Sequence, residues 1–204
     1  MKKIYKYGLL LASIIFLGYH SVYFEKLSER KAKASTEFDY AAYADSIYYQ
    51  GMLKKTKAID LQVLLSEVRS NKDQAFEQYG NRLGIGNSAY FMVKCVGVIA
   101  EKTTAQIRLN SEINSEVLIN TQHIFGNALR DASGLVKLTD FKTNAEFNKV
   151  SEALNALIRK QVMPPVLEQL QVGDTIQVEG ALKLSKKAPE NPGIIITPAQ
   201  IAVL

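Results

Sequence analysis

The residues with the most chemistry to offer stand together in Gly126-Asn-Ala-Leu-Arg-Asp-Ala-Ser-Gly134. Arg130 beside Asp131, with Asn127 and Ser133 three and two residues away, places a planar cation, a carboxylate, an amide and a hydroxyl on one short segment. Such a set can hold a hydroxylated ligand through paired hydrogen bonds, and it can equally fix a loop by capping and a local ion pair. Asn127, Arg130, Asp131 and Ser133 are therefore the candidate ligand-binding residues, with both readings open. Other chemistry is sparse. His123 has no second histidine beyond the leader and no nearby acidic cluster, whereas a catalytic zinc takes three protein ligands, so no metal is expected. Scattered serines without a G-x-S-x-G elbow make no triad. Asp140 and Glu146 form an imaginable carboxylate pair, but Glu146 already completes a capping box with Thr143. The expectation is a protein that is not an enzyme and carries no cofactor.

Cys95 is the only cysteine, which excludes an intramolecular disulfide and a cysteine metal site within this sequence. In Val93-Lys-Cys-Val96 it reads as a small buried residue of a strand. The net charge of +5 suggests nucleic acid until it is divided along the chain. Seven of the 25 Lys/Arg and two of the 20 Asp/Glu stand before Thr36, leaving 18 of each sign beyond it. Binding a phosphate backbone needs clustered positive charge, so no nucleic-acid partner is expected.

The elements that must position these residues begin with a leader. Lys2, Lys3 and Lys6 precede an apolar run from Gly8 to Phe24, the pattern of an uncleaved signal or transmembrane anchor over 1–24 with its positive end in the cytoplasm. Residues 8–24 would then be the contact with the cytoplasmic membrane, followed by a charged stalk, 25–35. A helical segment, 36–80, comes next. Tyr40, Tyr43, Ala44 and Ile47 recur at helical spacing with Gly51 as a stop, and Asp60 caps the stripe Leu61, Leu64, Leu65 and Val68. A further short helix spans 72–78. The tyrosines of the first helix suit either a sugar-stacking surface or packing onto the following domain.

From residue 86 the pattern becomes one of strands: Tyr90 to Ala100, apolar on both faces; Ala105 to Asn110, alternating; and Val117 to Ile119, extending through Phe125. A helix over 143–162 follows, with Phe147, Val150, Leu154 and Leu157 inward, and Pro164-Pro165 ends or kinks it. Strands at 175–182 and 193–197 complete the chain. The expected fold is α+β: an N-terminal membrane helix and a helical segment, then a five-stranded barrel over 86–204, of the kind that binds oligonucleotides and oligosaccharides (the OB fold), with a helix between its third and fourth strands.

Several segments, taken in order, resemble the bacterial family catalogued as domain of unknown function 2291, predicted periplasmic lipoproteins. They are Lys57-Ala-Ile-Asp-Leu61, Tyr79-Gly80, Tyr90-Phe-Met-Val-Lys94, Gly126 to Gly134, Asp140-Phe141, Leu154-Asn155 and Ile196-Thr-Pro198. The resemblance covers roughly 38–203. It implies a periplasmic protein without assigned catalytic residues, encoded beside sugar-uptake ABC transporter genes. No cysteine stands directly after the apolar run, so a helical anchor takes the place of the lipid. Two functions are carried forward. One is a membrane-anchored extracytoplasmic accessory protein associated with a sugar ABC transporter. The alternative is an OB-like module that binds a carbohydrate or cell-wall fragment.

Overall fold

The computed structural model describes residues 38–84, 86–113, 116–187 and 193–204, together with Tyr5, Tyr7, Gly8 and Phe16 of the leader. The expected membrane helix and stalk therefore lie, those four residues apart, outside the described part of the chain. Among the described residues no helix is long and apolar enough to cross a membrane. Residues 39–204 form one compact unit, so the helical segment and the strands share a single core.

Side-chain caps start helices at Asp60, as expected, and at Asp39 and Asn71 besides. Asp39 accepts from the backbone N–H groups of Ala41 and Ala42 and opens α1, Tyr40–Ser46. Asp60 does the same for Gln62 and Val63 at α2, Leu61–Ser70, whose buried face is Leu61, Leu64 and Leu65. Asn71 opens α3, Lys72–Tyr79. Gly51 does not stop the first helix: α1 runs on as a π-helical stretch, Ile47–Met52. The glycine serves packing here, since a Cβ at 51 would lie 2.5 Å from Leu135 Cδ1.

The sheet has six strands, one more than expected: β1 Ile59–Asp60, β2 Ser88–Lys102, β3 Gln106–Asn110, β4 Val117–Asn120, β5 Thr175–Ser185 and β6 Ile194–Val203. The extra strand, β1, is two residues long and pairs in parallel with Val93 and Lys94. Strand β2 pairs antiparallel with both β3 and β5, β3 with β4, β4 in parallel with β6, and β6 with β5. The pairings of β2 to β6 thus run in a closed cycle. Close approach is built into it at Gly180, where a Cβ would collide with the Thr197 carbonyl oxygen and lie 2.9 Å from Pro198 Cα.

Three of the boundaries that differ from the sequence expectation have a clear backbone reason. Strand β4 ends at Asn120, because Thr121 and Gln122 turn to donate their N–H groups to the Ala105 carbonyl. Strand β6 continues through Pro198 to Val203, because the register shift between Glu179 and Gly180 accommodates a residue that lacks an N–H. The long helix is α5, Asn144–Leu157, continued by a π-helical stretch, Ile158–Val162, and then by α6, Met163–Gln169. The prolines fall in the first turn of α6, where a missing N–H matters least. Lys102 closes that helix, its ammonium donating to the carbonyls of Leu167 at 2.6 Å and Leu170 at 2.7 Å.

The tyrosines of α1 and its continuation pack inward. Tyr48 is buried and its hydroxyl donates to the Ala199 carbonyl of β6 at 3.0 Å. Tyr43 meets Phe141 edge-on at 6.0 Å, and Tyr40 and Tyr43 are half-buried against the core. Tyr49 keeps an exposed edge.

Candidate functional site

Asn127, Arg130, Asp131 and Ser133 belong to a short helix, α4, Ala128–Ser133, and to the residue before it, in place of the loop that the sequence suggests. Six residues are too few for a helical stripe to be visible. The helix ends at Gly134 in the left-handed region, φ +65°, with the Asn81 side chain packed where a Cβ would stand.

The four residues are brought together and turned inward. Arg130, Asp131 and Ser133 are all buried. The Arg130 guanidinium contacts Asp131 Oδ1 at 2.8 Å through both Nε and Nη2. Its Nη1 donates to the Phe147 carbonyl at 3.0 Å and to Asn148 Oδ1 at 3.3 Å, and its Cζ lies 3.5 Å from the centre of the Phe147 ring. Asp131 Oδ2 accepts a short hydrogen bond from the Asn127 amide, while the Tyr90 hydroxyl donates to Asn127 Oδ1 at 3.2 Å. Ser133 Oγ donates to the Arg130 carbonyl at 2.6 Å and accepts from Leu135 N–H. Every one of these polar groups thus has a partner inside the protein, and the cluster joins α4 to the start of α5 and to β2. Asn155 extends the junction by donating to the Gly126 carbonyl at 2.7 Å.

Among the described residues, three surface hollows stand out. The first, about 490 Å³, lies over the outer side of β2, between the start of α2 and the end of β3. It is lined by Asp60, Lys94, Val96, Val98, Ser111 and Glu112 among others. Cys95 forms part of its base, and burial followed by the charge of Asp60 pushes the thiol up to about 11. A thiol held protonated and covered in this way is a packing group.

The second hollow, about 280 Å³, lies on the outer face of β3 and β4 and is lined by Glu101, Thr103, Gln106, Arg108, Glu116 and Leu118. Arg108 bonds Glu101 Oε2 at 2.8 Å and lies 4.0 Å from Glu116. The third, about 390 Å³, is lined by Lys55, Thr56, Lys57, Gln78, Tyr79, Asn81 and Ser133 among others. Of the four sequence candidates, Ser133 lines one of these three hollows and the other three line none of them. The run Lys54-Lys-Thr-Lys57, two of whose lysines carry the third hollow's charge, is visible in the sequence but has no catalytic spacing. His123 is exposed, and among the described residues no group of His, Cys, Asp or Glu is placed to hold a metal ion.

Comparisons with known proteins agree with this architecture. No curated protein matches the chain. Among solved structures, an OB-fold protein from Thermotoga maritima superposes with a TM-score of 0.73 at 24% identity, over 82% of this chain and 99% of that one. At that identity the likeness speaks for the fold alone, and it fits the cyclic strand order β2-β3-β4-β6-β5. The family described as predicted periplasmic lipoprotein, domain of unknown function 2291, matches residues 12–202. With nearly the whole chain covered, the protein belongs to this extracytoplasmic family.

Proposed function

We propose that this chain is a non-enzymatic accessory protein on the outer face of the cytoplasmic membrane. Residues 8–24 hold it there, and its ring of five strands, read as a barrel, recognises a membrane-associated partner. The observation that carries the reading is the inward orientation of the Arg130–Asp131 cluster. The residues best suited to chemistry are joined to one another and to α5, which leaves the domain to act through its surface. Extracytoplasmic family membership supports the location. The partner to test first is a sugar-uptake ABC transporter, as the family resemblance implies.

The surface to test is the outer face of β3 and β4, where OB-type rings commonly present their binding side. That choice is an analogy of fold. It is supported by the charged triplet Glu101, Arg108 and Glu116, whose side chains are 41 to 62% exposed. Surface charges of this kind contribute more to selecting a partner than to folding. Crosslinking of the full chain in intact membranes, followed by detergent extraction, is expected to trap a transporter component. Arg108→Glu should lose that adduct with unchanged melting. A chain that stays monomeric and uncrosslinked, or a C-terminal reporter active only in the cytosol, would overturn the proposal.

A further inference from the structure

The hollow between residues 55–57, the end of α3 and the end of α4 has the composition of a small-ligand site. At about 390 Å³ it falls within the range of small-molecule pockets and is too small for a folded partner. Among the described residues its charged lining is Lys55 and Lys57, with no carboxylate, in a domain whose charges balance as a whole. Two cations without an opposing acid favour an anion.

The remaining lining groups favour a ligand bearing hydroxyls. Thr56 Oγ1 is buried and has no hydrogen-bond partner among the described residues, an arrangement that is costly unless a ligand or water completes it. The Gln78 amide and the half-buried ring of Tyr79 stand beside it, the ring offering an apolar surface to the C–H face of a sugar. The walls are fixed in advance. The Gly51 carbonyl accepts from the N–H groups of Lys54, Lys55 and Thr56 at 3.3, 2.7 and 3.2 Å, which pins the basic turn. Across the hollow, Asn81 exchanges backbone hydrogen bonds with Tyr90, and its side-chain amide donates to the Ala132 carbonyl at 3.0 Å.

From this lining we propose that the hollow binds a small carboxylated sugar, its carboxylate between Lys55 and Lys57 and its hydroxyls on Thr56 and Gln78. The site is separate from the β3–β4 face and does not depend on a protein partner. Two sources share the chemistry, a free uronic acid and the carboxylated sugar of the bacterial cell wall.

Titration calorimetry on the full chain in detergent, with D-glucuronate, N-acetylmuramate, D-glucose and inorganic phosphate, tests the proposal. At least one acid sugar should bind, with glucose and phosphate weaker by about tenfold or more, the factor expected for loss of a charge-assisted hydrogen bond or of the hydroxyl contacts. The tighter of the two acids identifies the source. The double variant Lys55→Gln, Lys57→Gln should bind the acid about tenfold or more weakly with unchanged melting, and Thr56→Val should weaken it further. Three results would overturn the assignment: no binding of either acid at millimolar concentration, equal binding of glucose or phosphate, or a double variant that binds like the parent.

Discussion

Replacing Arg130 with alanine separates a structural role for the α4 cluster from a ligand-binding one. The substitution removes the ion pair with Asp131, the bonds to the Phe147 carbonyl and to Asn148, and the stacking on the Phe147 ring. The Asp131 side chain, 2% exposed, then keeps the Asn127 amide as its side-chain partner among the described residues. Breaking a buried pair by deleting one member costs about 3–5 kcal/mol, because the remaining charge is neither solvated nor matched. In a domain of this size each kcal/mol corresponds to about 2–4 °C, so the melting temperature should fall by roughly 10 °C. Arg130→Met combined with Asp131→Leu removes both charges and should recover much of that loss. About 1–3 kcal/mol should remain missing, for the partners left at Asn127 and Phe147. Thermal unfolding followed by circular dichroism, together with urea midpoints, measures both variants against the parent. Melting of Arg130→Ala within about 2 °C of the parent would refute the reasoning. So would a double variant no more stable than Arg130→Ala.

Three further outcomes follow from backbone and burial. Gly180→Ala forces a methyl against the backbone of Thr197 and Pro198, and should destabilise by about 1–3 kcal/mol, read as a lower urea midpoint. Lys102→Ala leaves the carbonyls of Leu167 and Leu170 without their ammonium, and should cost about 1–2 kcal/mol, with faster amide exchange confined to the last turn of α6. The Cys95 thiol is raised from 9.0 to about 11, so its contribution is complete below pH 9 and is lost as the pH rises towards 11, where the unfolded chain ionises and the native one does not. The stability slope there should be about 1.4 kcal/mol per pH unit steeper in the parent than in Cys95→Ala, as checked by urea midpoints across that range.

What was legible in the sequence is what short-range patterning controls. Ile107 and Leu109 alternate with polar neighbours and are buried as expected, and the strand of Tyr90 to Ala100 exists and runs two residues further at each end. The capping box at Thr143 forms on one side, with Glu146 N–H donating to Thr143 Oγ1 at 3.1 Å; Glu146 itself accepts from the N–H of Lys142 in place of Thr143. What escaped depended on partners distant in sequence. Ile124 reads as strand because it is apolar, yet it is buried from an irregular segment whose carbonyl is held by Arg159 at 2.7 Å. Strand β6 passes Pro198 only because Gly180, eighteen positions earlier, opens the register opposite it.

The same distinction governs the candidate site. Arg-Asp adjacency specifies that a strong pair can form, and says nothing about which way it faces. Orientation is set by Phe147, Asn148 and Tyr90, from elements that the local sequence does not mention. The Phe147 ring covers the guanidinium on one side, its carbonyl and Asn148 take the Nη1 protons, and Tyr90 secures Asn127, so the group that looks most reactive is the most fully engaged. The hollow at Lys55 and Lys57 shows the converse. Its basic run is visible in the sequence, but it becomes a hollow through the Gly51 carbonyl that gathers one wall and Asn81 that anchors the other. Polar residues already matched within the fold stabilise it, and those the fold leaves unmatched, as at Thr56, are where a ligand gains most by binding.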